Sequence, residues 1–397
     1  MPRLKSNMML TAIFCFSLFL LSVLVLFYLK HHRNSAKQPV ILLFIDAPDP
    51  DNPAAALALL KHLQPSCLHI ILTGRPVDFH IGKYKSNIYE RHGHEKFVIN
   101  HSERLLEDSA ARLSTYFDKC NIGHQIKLYN GGIAPCAPLS DAVHDWDFLY
   151  DRKDLITLNG CDEGEILSPE QYEELVSKYN EMSKGRRERE FLSILRYFHL
   201  IPLDNLKCEI LRKSCREIIV YIGGPTTAVP QLFDSEVLRL KVTNLYGMFG
   251  ALEPGKGTLL KNQFNVACDI ESACQVFVED MFPKIKKFLI TTETAKMRPL
   301  IVSSHHLKQF GAFSHVVELQ LLWESTHKNK EQPLFDVIPV MASLDKYEPY
   351  FVWSEKKAVL KDKQFCLLNS HSSNLLVSHD FVGNIDLYVD FLVKLWY

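Results

Sequence analysis

Apolar residues in this chain fall into short continuous runs of strand length, separated by longer stretches with helical spacing. The runs Val40–Ile45, Leu68–Thr73, Gln125–Tyr129, Glu217–Ile222, Val242–Met248 and Lys287–Thr291 predict strands, several of which stop at Gly or Asp. The run that leads into Val40–Ile45 is continuous rather than alternating, which suits a strand buried on both faces. Alternation of such strands with helical patterns predicts one α/β domain over 39–397, and no internal repeat interrupts it. Between Leu167 and Arg196 the pattern is charged and helical, and the mixed-sign run Lys184–Glu190 reads as a solvated helix face without a function of its own.

A different apolar run opens the chain. Met8–Leu29 carries no charged residue, is of membrane-spanning length and lacks an A-x-A cleavage signature, so it predicts a single signal-anchor helix. Residues 1–7 form a short tail before it, and residues 30–38 form a polar tether to the domain. Lys30, Arg33 and Lys37 after the run, against Arg3 and Lys5 before it, point to a cytosolic body, whereas the sequon Asn100-His101-Ser102 points to the other side. The side of the membrane stays open.

Composition narrows the function classes. The 397 residues are 47% hydrophobic, enough for a large core, and a net charge of -1 gives no electrostatic case for a nucleic-acid partner. Ten cysteines are scattered without C-x-x-C spacing, so neither a zinc site nor a disulfide framework is indicated. Ser303-Ser304-His305-His306 lacks a G-x-S-x-G elbow, and His92-Gly93-His94 lacks further placed ligands, so neither makes a hydrolase site.

The candidate chemistry lies in the turn Phe44-Ile45-Asp46-Ala47-Pro48-Asp49-Pro50-Asp51-Asn52-Pro53. Asp46 closes the first strand. Asn52 is a good N-cap and Pro53 a good first helical residue, with the alanine-rich stretch Ala54–Leu60 behind them, so a helix starts at Asn52 or beside it. Three carboxylates near one helix N-terminus either cap the turn locally or share a cation, and a hard cation such as calcium would relieve their repulsion. Three further turns carry candidates: Ile222-Gly223-Gly224-Pro225-Thr226-Thr227, Asn262-Gln263-Phe264-Asn265, and Phe335-Asp336-Val337, where one acid interrupts an apolar stretch and wants a partner.

In this order the four segments resemble the inosine/uridine-preferring nucleoside hydrolases, which carry an aspartate-rich first turn, a G-P-x-T-type second turn, an E-F-N segment and a late Asp in an apolar helix. The resemblance spans Val40–Val340 and implies an open α/β fold with a mostly parallel central sheet flanked by helices. It also implies calcium at the strand ends, a nucleoside or related riboside as small-molecule partner, and the homo-oligomeric assembly common in that family. Cleavage of an N-glycosidic bond through an oxocarbenium-like state needs an activated water, a carboxylate base and polar groups on the sugar. Carried over by position, Thr227 and Asp336 match calcium ligands, and Asn265 matches the asparagine at the ribose 5′ end. Gln263 stands where the family has glutamate, which keeps hydrogen bonding and removes charge. His144, in Ala142–Leu149, stands in a faint match to an A-x-x-H-G-x-x-G-L stretch, although a buried or surface histidine without a role fits it too.

The first turn departs from the family pattern D-x-D-P-G-x-D-D, because no two aspartates are adjacent. A register slipped by one residue keeps Asp49 as the base, with Asp46 supporting it and Asp51 as a displaced metal ligand. Leu72-Thr73-Gly74-Arg75 resembles a strand ending in G-N, with Arg75 where an asparagine would touch the ribose. Arg75 either neutralises the aspartates in place of calcium or selects an anionic sugar. The resemblance therefore implies a membrane-anchored N-glycosidase, or alternatively an inactive relative that binds or scaffolds at a membrane.

Overall fold

The apolar run at the start of the domain forms β1 (Val40–Asp46), whose seven residues are all buried. Ile41, Leu43 and Ile45 belong to one hydrophobic core and Val40, Leu42 and Phe44 to a second, so the strand separates two packed layers. That placement explains why its sequence is continuously apolar. The computed structural model describes residues 39–46, 51–74, 106–107, 109–111, 113–135, 200–212, 217–252, 262–309, 314–326 and 333–395.

Around β1 the strands are β2 (Leu68–Gly74), β3 (Ile126–Ile133), β4 (Ile201–Pro202), β5 (Ile218–Ile222), β6 (Val242–Met248), β7 (Lys286–Ile290), β8 (Phe351–Lys361), β9 (Gln364–Asn369) and β10 (Leu375–Phe381). They form one ten-stranded sheet in the order β4-β3-β2-β1-β5-β6-β7-β10-β8-β9. All neighbours from β4 to β10 pair in parallel, and β8 and β9 add an antiparallel margin. The open, mostly parallel sheet expected from the resemblance is therefore observed. The three C-terminal strands were not foreseen. Their hairpin turns at Asp362 (φ 50°) and Lys363 (φ 63°), two residues in the left-handed region that a primed two-residue turn requires, without the usual Asn-Gly signal.

Helices flank both faces. The first core gathers α1 (Asp51–Leu63) together with later helical segments of the chain, and the second gathers α2 (Leu203–Arg212), α3 (Ala228–Leu232) and α4 (Glu236–Arg239). Beyond them come α5 (Phe264–Cys268), α6 (Ser314–Thr326), α7 (Val337–Ala342) and α8 (Ile385–Val393), the last three of which lie against α1 or its core. Helix α1 starts at Asp51, beside the expected Asn52. Its Ala54-Ala55-Ala56 face is fully buried, and such small side chains let α7 pack directly against it.

From β1 the chain moves through β2, β3 and β4 on one side, then returns to β5 on the other. Strand order reverses at β1/β5, so the loops leaving these two strands part at their carboxyl ends. In open α/β sheets that crevice is where ligands bind. Among the described residues no helix is long and apolar enough to cross a membrane, and Met8–Leu29 lies outside them.

Candidate active site

The crevice is closed by two glycines. Backbone N–H groups of Gly223 and Gly224 both donate to the Phe44 carbonyl, at 2.7 and 3.1 Å, folding the loop after β5 over the end of β1. A Cβ at Gly224 would overlap the backbone at Ile45 and Asp46, and one at Gly223 would overlap the Asp336 carboxylate. Only glycine permits both approaches. Three segments distant in sequence thereby meet: the end of β1, the turn after β5, and the N-terminus of α7.

Three aspartates are buried there. Asp46 is 2% exposed at the end of β1, Asp51 4% in the first turn of α1, and Asp336 5% at the N-cap position of α7. The Asp336 N–H donates to Asp51 Oδ2 at 3.3 Å, so these two acids are neighbours. Asn52 Nδ2 donates to the Asp46 carbonyl at 2.6 Å and, less closely, to Asp46 Oδ1 at 3.4 Å. Asn52 thus sits within the helix rather than capping it, and its amide steadies the first aspartate.

Hydroxyls complete the lining at these strand ends. Thr226 and Thr227 lie in the turn, and Thr73 is the β2 register partner of Asp46. Thr227 precedes α3 but makes no capping bond with its side chain. Thr73 Oγ1, Thr226 Oγ1, Thr227 Oγ1 and Asn52 Oδ1 are buried oxygens without a hydrogen-bond partner among the described residues. Buried polar atoms left this way are costly, and sites that bind ligands accept the cost. Tyr388, fully buried on α8, lies against the Leu334 backbone. Burial pushes its phenol well above the usual range and the Asp51 charge pushes the same way, so it keeps its proton.

A hard cation fits this donor chemistry: two adjacent buried carboxylates, a third buried at the end of β1, and threonine oxygens are the oxygen ligands that calcium takes. Asp51, Asp336 and Thr227 would hold it. Among the described residues no three acids, histidines or cysteines already close on one point.

No protein-family model matches this sequence, and no curated protein does. Among solved structures the chain is similar to an inosine-uridine preferring nucleoside hydrolase from Bacillus anthracis and to an inosine-guanosine nucleoside hydrolase. Each superposes with a TM-score of 0.53 at 12% identity, covering 90% of this chain and 98% of the other. The fold is that of the nucleoside hydrolases. At such identity the likeness speaks for the fold alone, and the roles of single residues rest on the geometry above.

Within this nucleoside hydrolase fold, Asp46, Asp51 and Asp336 are buried about the β1/β5 crevice, and Thr227 lies in the turn after β5. Asn265 and Gln263 sit beside it in a different manner. Asn265 Nδ2 donates to the carbonyls of Gly223 at 2.9 Å and Met248 at 3.2 Å, tying the ends of β5 and β6. Gln263 Oε1 accepts from the Val266 N–H at 3.3 Å and caps α5. Asp49, Arg75 and His144 lie outside the described residues. Sequence reasoning missed the side-chain role of Asn52, the pair of close approaches at Gly223 and Gly224, and Tyr388. The Gly-Gly doublet was the one available signal, since adjacent glycines at a strand end mark a tight backbone approach.

Proposed function

We propose that this protein is a nucleoside hydrolase-like N-glycosidase that cleaves a ribonucleoside or related riboside, held at a membrane by Met8–Leu29. The observation that carries this reading is the burial of Asp46, Asp51 and Asp336 together at the β1/β5 crevice of a nucleoside hydrolase fold. Acids buried side by side at neutral pH call for a cation, and calcium bound there would supply positive charge to sugar hydroxyls and to an attacking water.

The chain's own residues divide the remaining work. Asp49, three residues beyond Asp46 in sequence, serves as the base that takes the proton from water. Asp46 supports it from a fixed position, because Asn52 holds both its carbonyl and its carboxylate. Asn265 contributes from the ends of β5 and β6 by keeping Gly223 and Met248 in place. Gln263 leaves the sugar rim uncharged, and Arg75 selects for an anionic group on the riboside. His144 belongs to the same proposed rim.

A second reading, a non-catalytic protein that binds or scaffolds, is favoured by one set of contacts: Asn265 and Gln263 spend hydrogen bonds on the protein's own backbone. Turnover separates the two. The full chain in detergent should release free ribose from at least one neutral nucleoside, or ribose phosphate from a phosphorylated riboside, with calcium present, and lose that activity with a chelator. A folded sample that releases no sugar from either class, and whose melting temperature ignores calcium, would leave the scaffold reading standing.

A further inference from the structure

All of the core strands run parallel, so their amino ends share one face of the molecule, opposite the candidate site. The domain is entered at that face: Val40 N–H donates to the Glu217 carbonyl at 2.7 Å, and Ile218 N–H donates to the Lys241 carbonyl at 2.8 Å. In register, Val40 pairs with Ile218 and Ile218 with Val242. Two strand spacings, about 10 Å, therefore separate the point of chain entry from the turn that precedes β6.

That turn is apolar on the outside. Val237 is 58% exposed and Leu240 55%, and Leu211, at the end of α2, is 45% exposed. Lys241 Nζ donates to the Ile210 carbonyl at 3.5 Å and holds the two elements together. Exposed charges of both signs stand in the same segments, Arg212, Lys284 and Lys286 with Glu217 and Glu236, and Arg239 and Lys241 are half-buried. Next to Leu240 a recess of about 720 Å³ opens between α4 and the turn before β7, lined by both signs of charge, including Glu236, Arg239, Glu279 and Lys284. Apolar side chains set among exposed charges of both signs match the headgroup region of a bilayer, whose phosphates and ammonium groups carry both signs above the acyl margin.

We propose that this strand-entry face docks on the bilayer that holds the chain, with Leu211, Val237 and Leu240 entering the headgroup region. The proposal rests on reading Met8–Leu29 as a membrane anchor. Ten residues, Lys30–Pro39, join that run to Val40. Fully extended they reach roughly 35 Å, and as a flexible coil roughly 18 Å, so the entry face is kept beside the membrane. One consequence concerns the candidate site: it sits a strand length away, about 23 Å for the seven residues of β1, and opens toward water rather than lipid.

The test uses the full chain in phosphatidylcholine nanodiscs containing phosphatidylserine, with a lipid spin-labelled just below the headgroup. Leu240→Trp is compared with Leu368→Trp on the edge strand β9, where Leu368 is 52% exposed. Docking predicts that the label quenches the added fluorescence of Leu240→Trp by roughly twofold or more over that of Leu368→Trp. Equal quenching, or stronger quenching at Leu368→Trp, overturns it while leaving the anchor intact. A chain that fails to co-migrate with the nanodisc overturns the anchor and the docking with it. Amide exchange of the unaltered chain gives an independent check: 203–212 and 236–241 should be slowed in nanodiscs relative to amphipol. Slowing in amphipol accompanied by the mass of two copies would assign the face to a second copy instead.

Discussion

Exchanging Asn52 for aspartate tests how the site handles its charge. In the native chain Asn52 Nδ2 donates to the Asp46 carbonyl at 2.6 Å and lies 3.4 Å from Asp46 Oδ1. Asn52→Asp removes the donor from a buried hydrogen bond, which costs about 1–3 kcal/mol. It also sets a second negative charge at about that separation, worth up to roughly 5 kcal/mol of repulsion at an effective dielectric near 20. Relaxation and protonation will cut the sum, so a net loss of about 2–5 kcal/mol, or roughly 3–7 °C in melting temperature, is expected in chelator at neutral pH. The loss should fade as pH falls, because protonating one of the two acids removes the repulsion. Calcium should reverse the loss, since the exchange creates the adjacent acidic pair, Asp51 and residue 52, that the family pattern carries. The assay is thermal unfolding of the full chain at two pH values, each with calcium and with chelator. A melting temperature that matches wild type in chelator would refute the placement of Asn52 against Asp46, and one that ignores calcium in the variant would refute the cation site.

Gly223→Ala should displace the Asp336 carboxylate and weaken calcium-dependent stabilisation at a stability cost of about 1–3 kcal/mol, whereas Gly224→Ala meets the β1 backbone and should cost more. Paired denaturant titrations with and without calcium check both. His62 stacks on Phe391 at 4.9 Å, and burial together with Lys61, Lys346 and Lys394 holds its pKa below the ordinary 6.5. The folded state therefore favours the neutral ring, and the stability it contributes is full above about pH 6.5 and is lost as pH falls toward the lower folded pKa. His62→Gln should flatten that acid-side loss in a pH series of unfolding curves. Lys287 is 1% exposed and donates to Asp280 Oδ1 at 2.7 Å. Asp280→Ala should cost about 1–3 kcal/mol, because the buried ammonium loses its charged partner and keeps only the Phe282 carbonyl at 3.1 Å, and less at high pH where the neutral amine forms, while Lys287→Met should be nearly neutral.

The sequence disclosed the centre of the fold better than its margin. Strands β1, β2 and β5 were legible within a residue or so because they are buried on both faces and mostly apolar, and β6 and β7, half-buried in part, were placed by shorter apolar stretches such as Phe288-Leu289-Ile290. The margin β8–β10 escaped because it alternates: β8 runs from buried Phe351 through exposed Glu355 and Lys357, and its turn at Asp362-Lys363 lacks glycine. For the site, Asp46, Asp51, Thr227 and Asp336 were named from turn chemistry and resemblance; the fold buries the three acids and brings Asp336 against Asp51, and Thr227 lies in the turn after β5. The contacts that hold them there were not legible. That Asp336 donates to Asp51 across a separation of 285 residues, or that Gly223 makes room for a carboxylate, depends on tertiary packing that no local pattern encodes. Asn52 shows the same limit from the other side, since its good capping chemistry concealed a side chain turned inward to Asp46.

The most direct test of the central claim is riboside cleavage by Asp336→Asn beside wild type, both as full chains with calcium. The exchange keeps the shape of the side chain against Gly223 while removing the charge that a cation needs. The account predicts that wild type releases ribose and is stabilised by calcium. In the variant both responses should vanish, with melting in chelator unchanged or raised because one buried charge is gone. A variant that still releases ribose at the wild-type rate would contradict the account and take Asp336, with the β1/β5 crevice it defines, out of the chemistry.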